Sequence, residues 1–79
     1  MHYVYILQSV ANQTRFYVGT TTDLNRRVEE HNSGKSIHTD KHRPWEPTVC
    51  IGFSDRTKAL RFERYLKSGS GRAFAKKHF

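Results

Sequence analysis

The sequence offers almost no means of covalent cross-linking. Cys50 is its only cysteine, so neither an intrachain disulfide nor a zinc cluster of several thiolates can form. No apolar run approaches the roughly 20 residues that span a bilayer, and the first residues do not resemble a signal peptide. We therefore expect a protein of the cytoplasm without a membrane segment. Cys50 lies in the apolar run 48–51, where we expect it to be a small core residue.

Acidic residues are also scarce. Seven Asp and Glu stand against 14 Lys and Arg, which gives a formal charge of +7 and a pI near 10.0. Such a charge favours polyanionic partners, above all nucleic acid, although solubility alone would explain the same excess of cations. Five cations outside the predicted core are candidates for contacts with nucleic acid: Lys35, Lys41, Arg43, Arg72 and Lys76.

The length of the chain limits it to one domain, 1–79, with one thin core, because 79 residues bury only a modest part of their surface. Hydrophobic residues make up 35% and aromatic residues 13% of the sequence. This apolar content argues against a disordered chain. We therefore expect a small globular domain.

Two β-branched and aromatic runs near the start, Tyr3–Leu7 and Arg15–Thr20, predict a hairpin with a long loop. A third strand is predicted over Thr48–Phe53, after Pro47. Because side chains alternate between the two faces of a strand, each hairpin strand presents one face that carries tyrosine. These faces comprise Tyr3, Tyr5 and Leu7 on the first strand, and Arg15, Tyr17 and Gly19 on the second.

Helical patterns fill the rest of the chain. Asp23 is a plausible cap for a helix over Leu24–Asn32, and Asp55 for a second helix with apolar residues at helical spacing. The stretch Lys67–Gly71 is expected to end that helix, and a last short helix is predicted over Arg72–Lys77. Residues 32–46 are interpreted as a basic surface loop. The predicted fold is α+β, in the order β-β-α-β-α-α.

Two charged residues lie on the apolar side of the first helix. Arg27 and His31 share the stripe of Leu24 and Val28 at spacings of three and four residues, whereas Arg26, Glu29 and Glu30 fall on the opposite side. An arginine at such a boundary often extends its guanidinium to solvent, and a histidine near a helix end is often simply hydrogen-bonded. Either residue alone is therefore weak evidence for a site.

Glu63 is a sharper anomaly, because Ala59, Leu60 and Leu66 surround it on the apolar side of the second helix. A carboxylate is rarely buried without a partner. The alternatives are a salt bridge to Arg27 or another cation, and a catalytic or metal-binding role. The tyrosines are by default half-buried strand aromatics. A zinc set of histidines with Cys50 is disfavoured because no Cys-x-x-Cys pair supports it.

These residues recur in one known pattern. Tyr3-Val4-Tyr5 is followed by Tyr17-Val18-Gly19-Thr20, then by Asp23-Leu24, Arg27 and His31, and by Glu63 on a later helix. The whole resembles the GIY-YIG nuclease domain found in homing endonucleases, some restriction enzymes and an excision-repair incision subunit. The stretches 32–35 and 65–69 look most like the short, stand-alone bacterial members. The sequence departs from the pattern in having Tyr3 where the first triplet has glycine, and in lacking a clear asparagine after the second helix.

The resemblance implies a three-stranded antiparallel sheet flanked by helices, and hydrolysis of phosphodiesters with one divalent metal, Mg²⁺ or Mn²⁺. By position, Tyr5 and Tyr17 are the tyrosines of the two triplets, Arg27 is the phosphate-binding arginine, His31 is an auxiliary site residue and Glu63 is the metal ligand. DNA is the favoured substrate over RNA, in repair or recombination, and we expect weak activity and low sequence preference.

Elementary chemistry is consistent with this set of residues. An arginine fork binds phosphate oxygens in a bidentate manner, and Mg²⁺ often uses only one or two protein carboxylates plus substrate phosphate. A tyrosine is a poor base at neutral pH unless nearby cations favour the phenolate. The sequence leaves open whether Tyr5 or Tyr17 would be that base.

Two other functions compete with a nuclease. One is a nucleic-acid-binding domain of the same fold with little or no cleavage activity, and the other is a small protein-interaction module whose tyrosines form a contact surface. Glu63 argues against the first, because a carboxylate facing phosphate weakens plain polyanion binding unless a metal lies between them. The oligomeric state, monomer or weak dimer, also stays open.

Overall fold

Three antiparallel strands form the centre of the protein, whose computed structural model describes all 79 residues. They are β1 (His2–Ser9), β2 (Phe16–Thr21) and β3 (Trp45–Phe53), in the spatial order β2-β1-β3. β1 is therefore hydrogen-bonded on both sides, with Tyr5 opposite Gly19 of β2 and Cys50 of β3. The expected three-stranded antiparallel sheet is confirmed.

Three helices complete the fold: α1 (Leu24–Asn32), α2 (Arg56–Lys67) and α3 (Gly69–His78). The predicted order β-β-α-β-α-α is confirmed, with one additional 3-10 turn at Asp40–His42. Asp23 and Asp55 cap α1 and α2 as expected, because their carboxylates accept hydrogen bonds from backbone amides of the first turns. None of the helices has the length and apolar character needed to cross a membrane.

The side chains of β1 alternate between two apolar clusters on opposite faces of the sheet. Val4 and Ile6 pack with Ala59 and Leu66 on the side of α2 and α3. Tyr5 and Leu7 pack with Trp45 on the other side, where partly buried residues of β2 and α1 join them. Burying one such side chain contributes about 1.5–3 kcal/mol. The central strand thus supports two thin cores, and its tyrosine-bearing face looks toward α1.

The third strand begins earlier than predicted, at Trp45 instead of Thr48. Pro47 lies inside it, next to a shift of register between Ile6 and Leu7 of β1. Proline is tolerated there because β3 is an edge strand and an irregular pairing frees the position from donating a ladder hydrogen bond. The prediction failed because proline was interpreted as the boundary of the strand.

The last helix is also longer than predicted, since it begins at Gly69 and not at Arg72. Ser68 alone separates the helices, and its hydroxyl caps α3 by accepting a hydrogen bond from the amide of Gly71. A side chain on Gly71 would collide with the backbone carbonyl of Tyr65. Gly71 therefore allows α2 and α3 to approach closely, although it was predicted as part of a helix-breaking stretch.

Two predictions of burial are wrong. Cys50 is exposed, and it lies on β3, which is an edge strand of the sheet. The loop after α1, in contrast, is not wholly on the surface, since Ser36 and Thr39 are buried. This loop folds back over the end of α1, and that feature shapes the site.

Candidate active site

Three rings of the predicted site lie together on the α1 face of the sheet. The ring centroids of Tyr5 and Tyr17 are 6.3 Å apart, and His31 of α1 lies 4.8 Å from Tyr17 and 6.0 Å from Tyr5. Tyr5 is 1% exposed and His31 is 0% exposed, whereas Tyr17 on the edge strand β2 is half-buried. Strand alternation and helical spacing thus bring residues from three elements to one surface.

Gly19 makes room for the Tyr5 side chain. It lies directly opposite Tyr5 in the pairing of β1 with β2. A Cβ atom at this position would be 2.5 Å from the Tyr5 hydroxyl and 3.0 Å from the Tyr17 ring. The Tyr5 ring therefore lies over Gly19 of β2, where the absence of a side chain leaves room for it. In this position its hydroxyl reaches His31.

We expect Gly19→Ala to destabilise the protein by about 1–3 kcal/mol, since the added methyl overpacks the Tyr5 ring. The free energy of unfolding, from chemical denaturation, measures this cost. Gly52→Ala on β3 is the matched control, because the nearest neighbours of its Cβ are the ends of the Met1 and Tyr3 side chains at 3.0 and 3.2 Å. Equal losses in both variants would contradict the assigned role of Gly19.

A chain of hydrogen bonds connects Tyr5 to the loop after α1. The Tyr5 hydroxyl is 3.0 Å from Nε2 of His31, and Nδ1 of His31 is 2.7 Å from the Thr39 hydroxyl. The Thr39 hydroxyl is also positioned to donate to the backbone carbonyl of Ser36 at 3.4 Å. One direction satisfies every atom, with Tyr5 donating to Nε2 and Nδ1–H donating to Thr39. In the reverse direction the Tyr5 proton has no acceptor, since the nearby Arg27 guanidinium has only donors.

Thr39 and Trp45 are parts of this network that the sequence analysis missed. The indole Nε1–H of Trp45 donates to the backbone carbonyl of Thr39 at 2.7 Å. Asn32 at the end of α1 binds both the amide and the carbonyl of Trp45. The loop was interpreted as surface because of its polar residues, and only the tryptophan within it signalled burial.

Arg27 is held beside Tyr5 by Glu30. Its guanidinium is 3.1 Å from the Glu30 carboxylate, which also lies 3.8 Å from Arg26. Burial lowers the pKa of Arg27, but the Glu30 carboxylate and the Tyr5 hydroxyl together raise it above the ordinary value. Helical spacing predicted Glu30 on the solvent side with Arg26. This is wrong in part, because Glu30 is half-buried and pairs more closely with Arg27.

Glu63 lies on α2, the helix that packs on the Val4 and Ile6 side of the sheet. Its side chain is 18% exposed, and its carboxylate is 3.0 Å from the ammonium of Lys67. The predicted alternative of a salt bridge to Arg27 or another cation therefore holds with Lys67, one turn along the same helix, and not with Arg27. The Glu63 charge nevertheless acts on Tyr5, where it contributes to a raised pKa.

The two buried members of the cluster have shifted pKa values in the absence of ligand. Burial raises the pKa of Tyr5 to about 12, although Arg27 opposes the rise, and the charges of Tyr17 and Glu63 add to it. Burial and then the Arg27 charge lower the pKa of His31. At neutral pH both groups are therefore neutral, as the inferred hydrogen-bond direction requires.

The lowered pKa of His31 predicts a loss of stability in mild acid. The unfolded chain takes up a proton at His31 near pH 6.5, whereas the folded chain resists it, so the free energy of unfolding falls as pH falls below about 6.5. We expect thermal unfolding of His31→Gln to depend less on pH in this range than unfolding of the exposed matched control His38→Gln. Parallel pH profiles for the two variants would contradict the prediction.

The site could bind a divalent cation through a single protein carboxylate, with water and substrate as the other ligands. No three His, Cys, Asp or Glu side chains lie together, so the protein offers no closed cage. Glu63 provides one partly exposed carboxylate with one oxygen bonded to Lys67. This arrangement suits Mg²⁺, which keeps several waters and binds through one or two carboxylates together with substrate phosphate.

The cations proposed for nucleic acid are dispersed around the molecule. Lys35, Lys41, Arg72 and Lys76 are exposed. Arg43 is tied into the loop, because its side chain binds the Asp40 carboxylate at 3.0 Å and the backbone carbonyl of Asn32. Of these candidates and Arg27, only Arg27 belongs to the cluster around the tyrosines.

Comparison with known proteins identifies the same pattern over almost the whole chain. A family model described as the GIY-YIG catalytic domain matches residues 1–77. The UPF0213 protein BH0048 from Bacillus halodurans, solved by solution NMR, has 34% sequence identity and a TM-score of 0.56. That match covers 95% of this chain and 79% of the Bacillus protein.

Curated relatives include larger fungal proteins. The structure-specific endonuclease subunit slx1 of Talaromyces marneffei is 43% identical over 65 residues, which is 75% of this chain and 17% of the fungal protein. SLX1 of Chaetomium globosum is 39% identical over 74 residues, which is 86% of this chain and 23% of that protein. The chain thus spans less than a quarter of the length of either of these relatives.

Proposed function

This chain belongs to the GIY-YIG catalytic domain family, and from that membership we propose that it is a metal-dependent endonuclease that hydrolyses phosphodiester bonds in DNA. The observation that carries the proposal is the cluster of Tyr5, Tyr17, His31 and Arg27, with the charge of Glu63 acting on Tyr5. The fungal relatives are named as structure-specific endonuclease subunits. We propose that residues 1–79 act as one catalytic domain with low sequence preference.

In the proposed mechanism Arg27 binds the scissile phosphate. A guanidinium can contact two nonbridging oxygens at once and stabilise the charge that develops there in the transition state. Glu30 holds the guanidinium beside Tyr5 in the free protein. Phosphate binding therefore requires Arg27 to share or leave this carboxylate, so Glu30 acts as a positioning residue.

Tyr5 and His31 provide a route for the proton of the attacking water. With a pKa of about 12, Tyr5 is a poor base by itself. Its hydroxyl, however, donates to Nε2 of His31, so Tyr5 can accept the proton of water while passing its own to the imidazole. Thr39 fixes the tautomer by accepting from Nδ1–H. The water oxygen forms the new bond to phosphorus as the bond to the leaving oxygen breaks, and the leaving oxygen takes up a proton from solvent while the imidazolium later returns its proton to solvent. Tyr17, on the exposed side of the cluster, is proposed to orient the phosphate or the water.

Glu63 is the residue that would hold the divalent metal, with Lys67 beside it in the free protein. A bound Mg²⁺ or Mn²⁺ supplies charge for the developing oxyanion and the leaving oxygen. The partial exposure of the Glu63 side chain leaves it accessible to a hydrated ion.

A cleavage screen with the purified protein tests the proposal. We expect Mg²⁺ or Mn²⁺ to support nicking of plasmid DNA or cutting of flapped and branched duplexes, and EDTA to abolish it, because chelation removes the cation that Glu63 is proposed to hold. Gel analysis of single-stranded, double-stranded, flapped and branched substrates measures both rate and preference. Tight binding without cleavage of any substrate in either metal would instead favour a nucleic-acid-binding domain.

A further inference from the structure

The charge of the protein is concentrated at one end of the chain. Residues 56–79, which form α2 and α3, contain eight Lys and Arg but a single acid, Glu63. Residues 1–55 contain six Lys and Arg and six Asp and Glu. The formal charge of +7 is therefore carried entirely by the two C-terminal helices.

The cations of these helices are also free of acidic partners, with one exception. Lys67 pairs with Glu63, whereas the other three ion pairs lie in α1 and the following loop. Seven cations of α2 and α3 are exposed and unpaired. Six of them, leaving out Arg56 at the first position of α2, define what we call the basic helical face: Lys58, Arg61, Arg64, Arg72, Lys76 and Lys77. Unpaired cations keep their full attraction for phosphate, because no neighbouring carboxylate must be displaced.

The sequence spacing places these cations on the outer sides of the helices. Arg61 and Arg64 are three residues apart, and Arg72 and Lys76 are four apart, so each pair shares one side of its helix. The inner sides are occupied by packing, in which Phe74 of α3 contacts the rings of Phe62 and Tyr65. The basic helical face is therefore a solvent-facing surface that the core does not use.

We propose that the basic helical face binds the phosphate backbone of the DNA that flanks the cleavage site. The inference rests on the proposed function, because Glu63 on α2 then places one edge of this helix at the scissile phosphate. The α2 cations from Lys58 to Arg64 extend for about 9 Å along the helix, which matches about two to three nucleotides of one strand at roughly 3.4 Å each. Such contacts would hold the substrate in register without reading its bases.

The loop after α1 is the competing surface for DNA. Its lysines, Lys35 and Lys41, are exposed, but Asp40 lies between them and Arg43 is paired with that aspartate. The acids of α1 are close by in sequence, and Glu29, Glu30 and Lys35 line one shared surface hollow of about 270 Å³. Mixed charge of this kind attracts phosphate less than the nearly uniform charge of α2 and α3.

A pair of charge-matched triple variants tests the proposal. The helix variant carries Lys58→Gln, Arg61→Gln and Arg64→Gln, and the comparison variant carries Arg15→Gln, Lys35→Gln and Lys41→Gln. All six residues are exposed and without an acidic partner, so both variants lose three charges and are expected to keep the parent melting temperature. Affinity for a fluorescein-labelled, flapped DNA duplex is measured by fluorescence anisotropy in EDTA over a range of salt concentrations.

We expect the helix variant to lose at least about tenfold in affinity and its salt dependence to fall by about 0.9 for each lost phosphate contact, while the comparison variant loses about threefold or less. Equal losses, or a larger loss in the comparison variant, would overturn the proposal, because binding would then follow the total charge or the loop.

Cleavage with Mg²⁺ separates this inference from the proposed function. If the parent cleaves the flapped duplex, we expect the helix variant to have a higher KM and nearly the same kcat. An unchanged KM would overturn the proposed docking surface but leave the nuclease proposal intact. If the parent binds DNA through the helices but cleaves nothing, the nuclease proposal fails and the docking surface stands.

Discussion

Glu63→Gln is expected to reduce cleavage at least about a hundredfold, because the amide keeps the size of the side chain but removes the negative charge that holds a hard divalent cation. Binding of DNA in EDTA should be unchanged or tighter, since a charge that repels phosphate has gone. The melting temperature should hardly move, because the pair of Glu63 with Lys67 is partly exposed and such pairs contribute about 0–1 kcal/mol. Plasmid nicking, anisotropy and thermal melting on one preparation measure all three effects.

Glu29→Gln is the matched control for this experiment. It removes the same charge from an exposed position on α1 that has no ion pair, so it should keep the parent rate of cleavage. Nicking by Glu63→Gln at the parent rate would overturn the assignment of Glu63 as metal ligand. A large fall in melting temperature together with normal cleavage by the folded fraction would make Glu63 a structural residue.

Arg27→Ala should lower cleavage by about 100- to 1000-fold and also weaken DNA binding in EDTA, because it removes a phosphate donor as well as stabilisation of the transition state. The combination of both losses distinguishes a phosphate-binding group from a metal ligand, which loses cleavage alone. Rates under single-turnover conditions and affinities by anisotropy measure the two effects.

Arg26→Ala provides a close control, since Arg26 is the preceding residue of α1, carries the same charge and is 77% exposed. It makes only the longer contact to Glu30, so cleavage should stay within about twofold of the parent, as is usual for exposed surface substitutions. If Arg26→Ala and Arg27→Ala were equally impaired, the effect would belong to the charge of the helix and not to a defined contact with phosphate.

The parts of the site on regular elements could be predicted from the sequence. The bounds of α1 are those predicted, because Asp23 and the Ser33-Gly34 pair mark both ends with strong local signals. Alternation in β1 and β2 correctly directed Tyr5 and Tyr17 to the same face. The chemical roles of these residues came from the family resemblance, and they stay predictions until the variants are measured.

The predictions that were wrong concern contacts between residues distant in sequence, or ion pairs for which helical spacing allows two partners. Glu30 can reach either Arg26 or Arg27 by helical spacing, and burial beside Tyr5 selects Arg27 as the closer partner. Thr39 is an ordinary polar loop residue until Trp45 and His31 enclose it. Gly71 looks like a helix breaker until the carbonyl of Tyr65 is known to lie against it. Local patterns contain none of this information.

The exposed thiol of Cys50 makes the protein suited to site-specific labelling. It is the only cysteine, and it lies directly opposite Tyr5 in the pairing of β1 with β3, where Cβ atoms of facing residues are about 5 Å apart. Neighbouring atoms partly desolvate the thiol, and this raises its pKa. Maleimide coupling therefore proceeds best in mildly alkaline buffer, where more of the thiolate is present. A fluorophore attached there would sit beside the strand that carries Tyr5, and it would test the proposed binding of DNA in the unmodified sequence, with no cysteine added or removed.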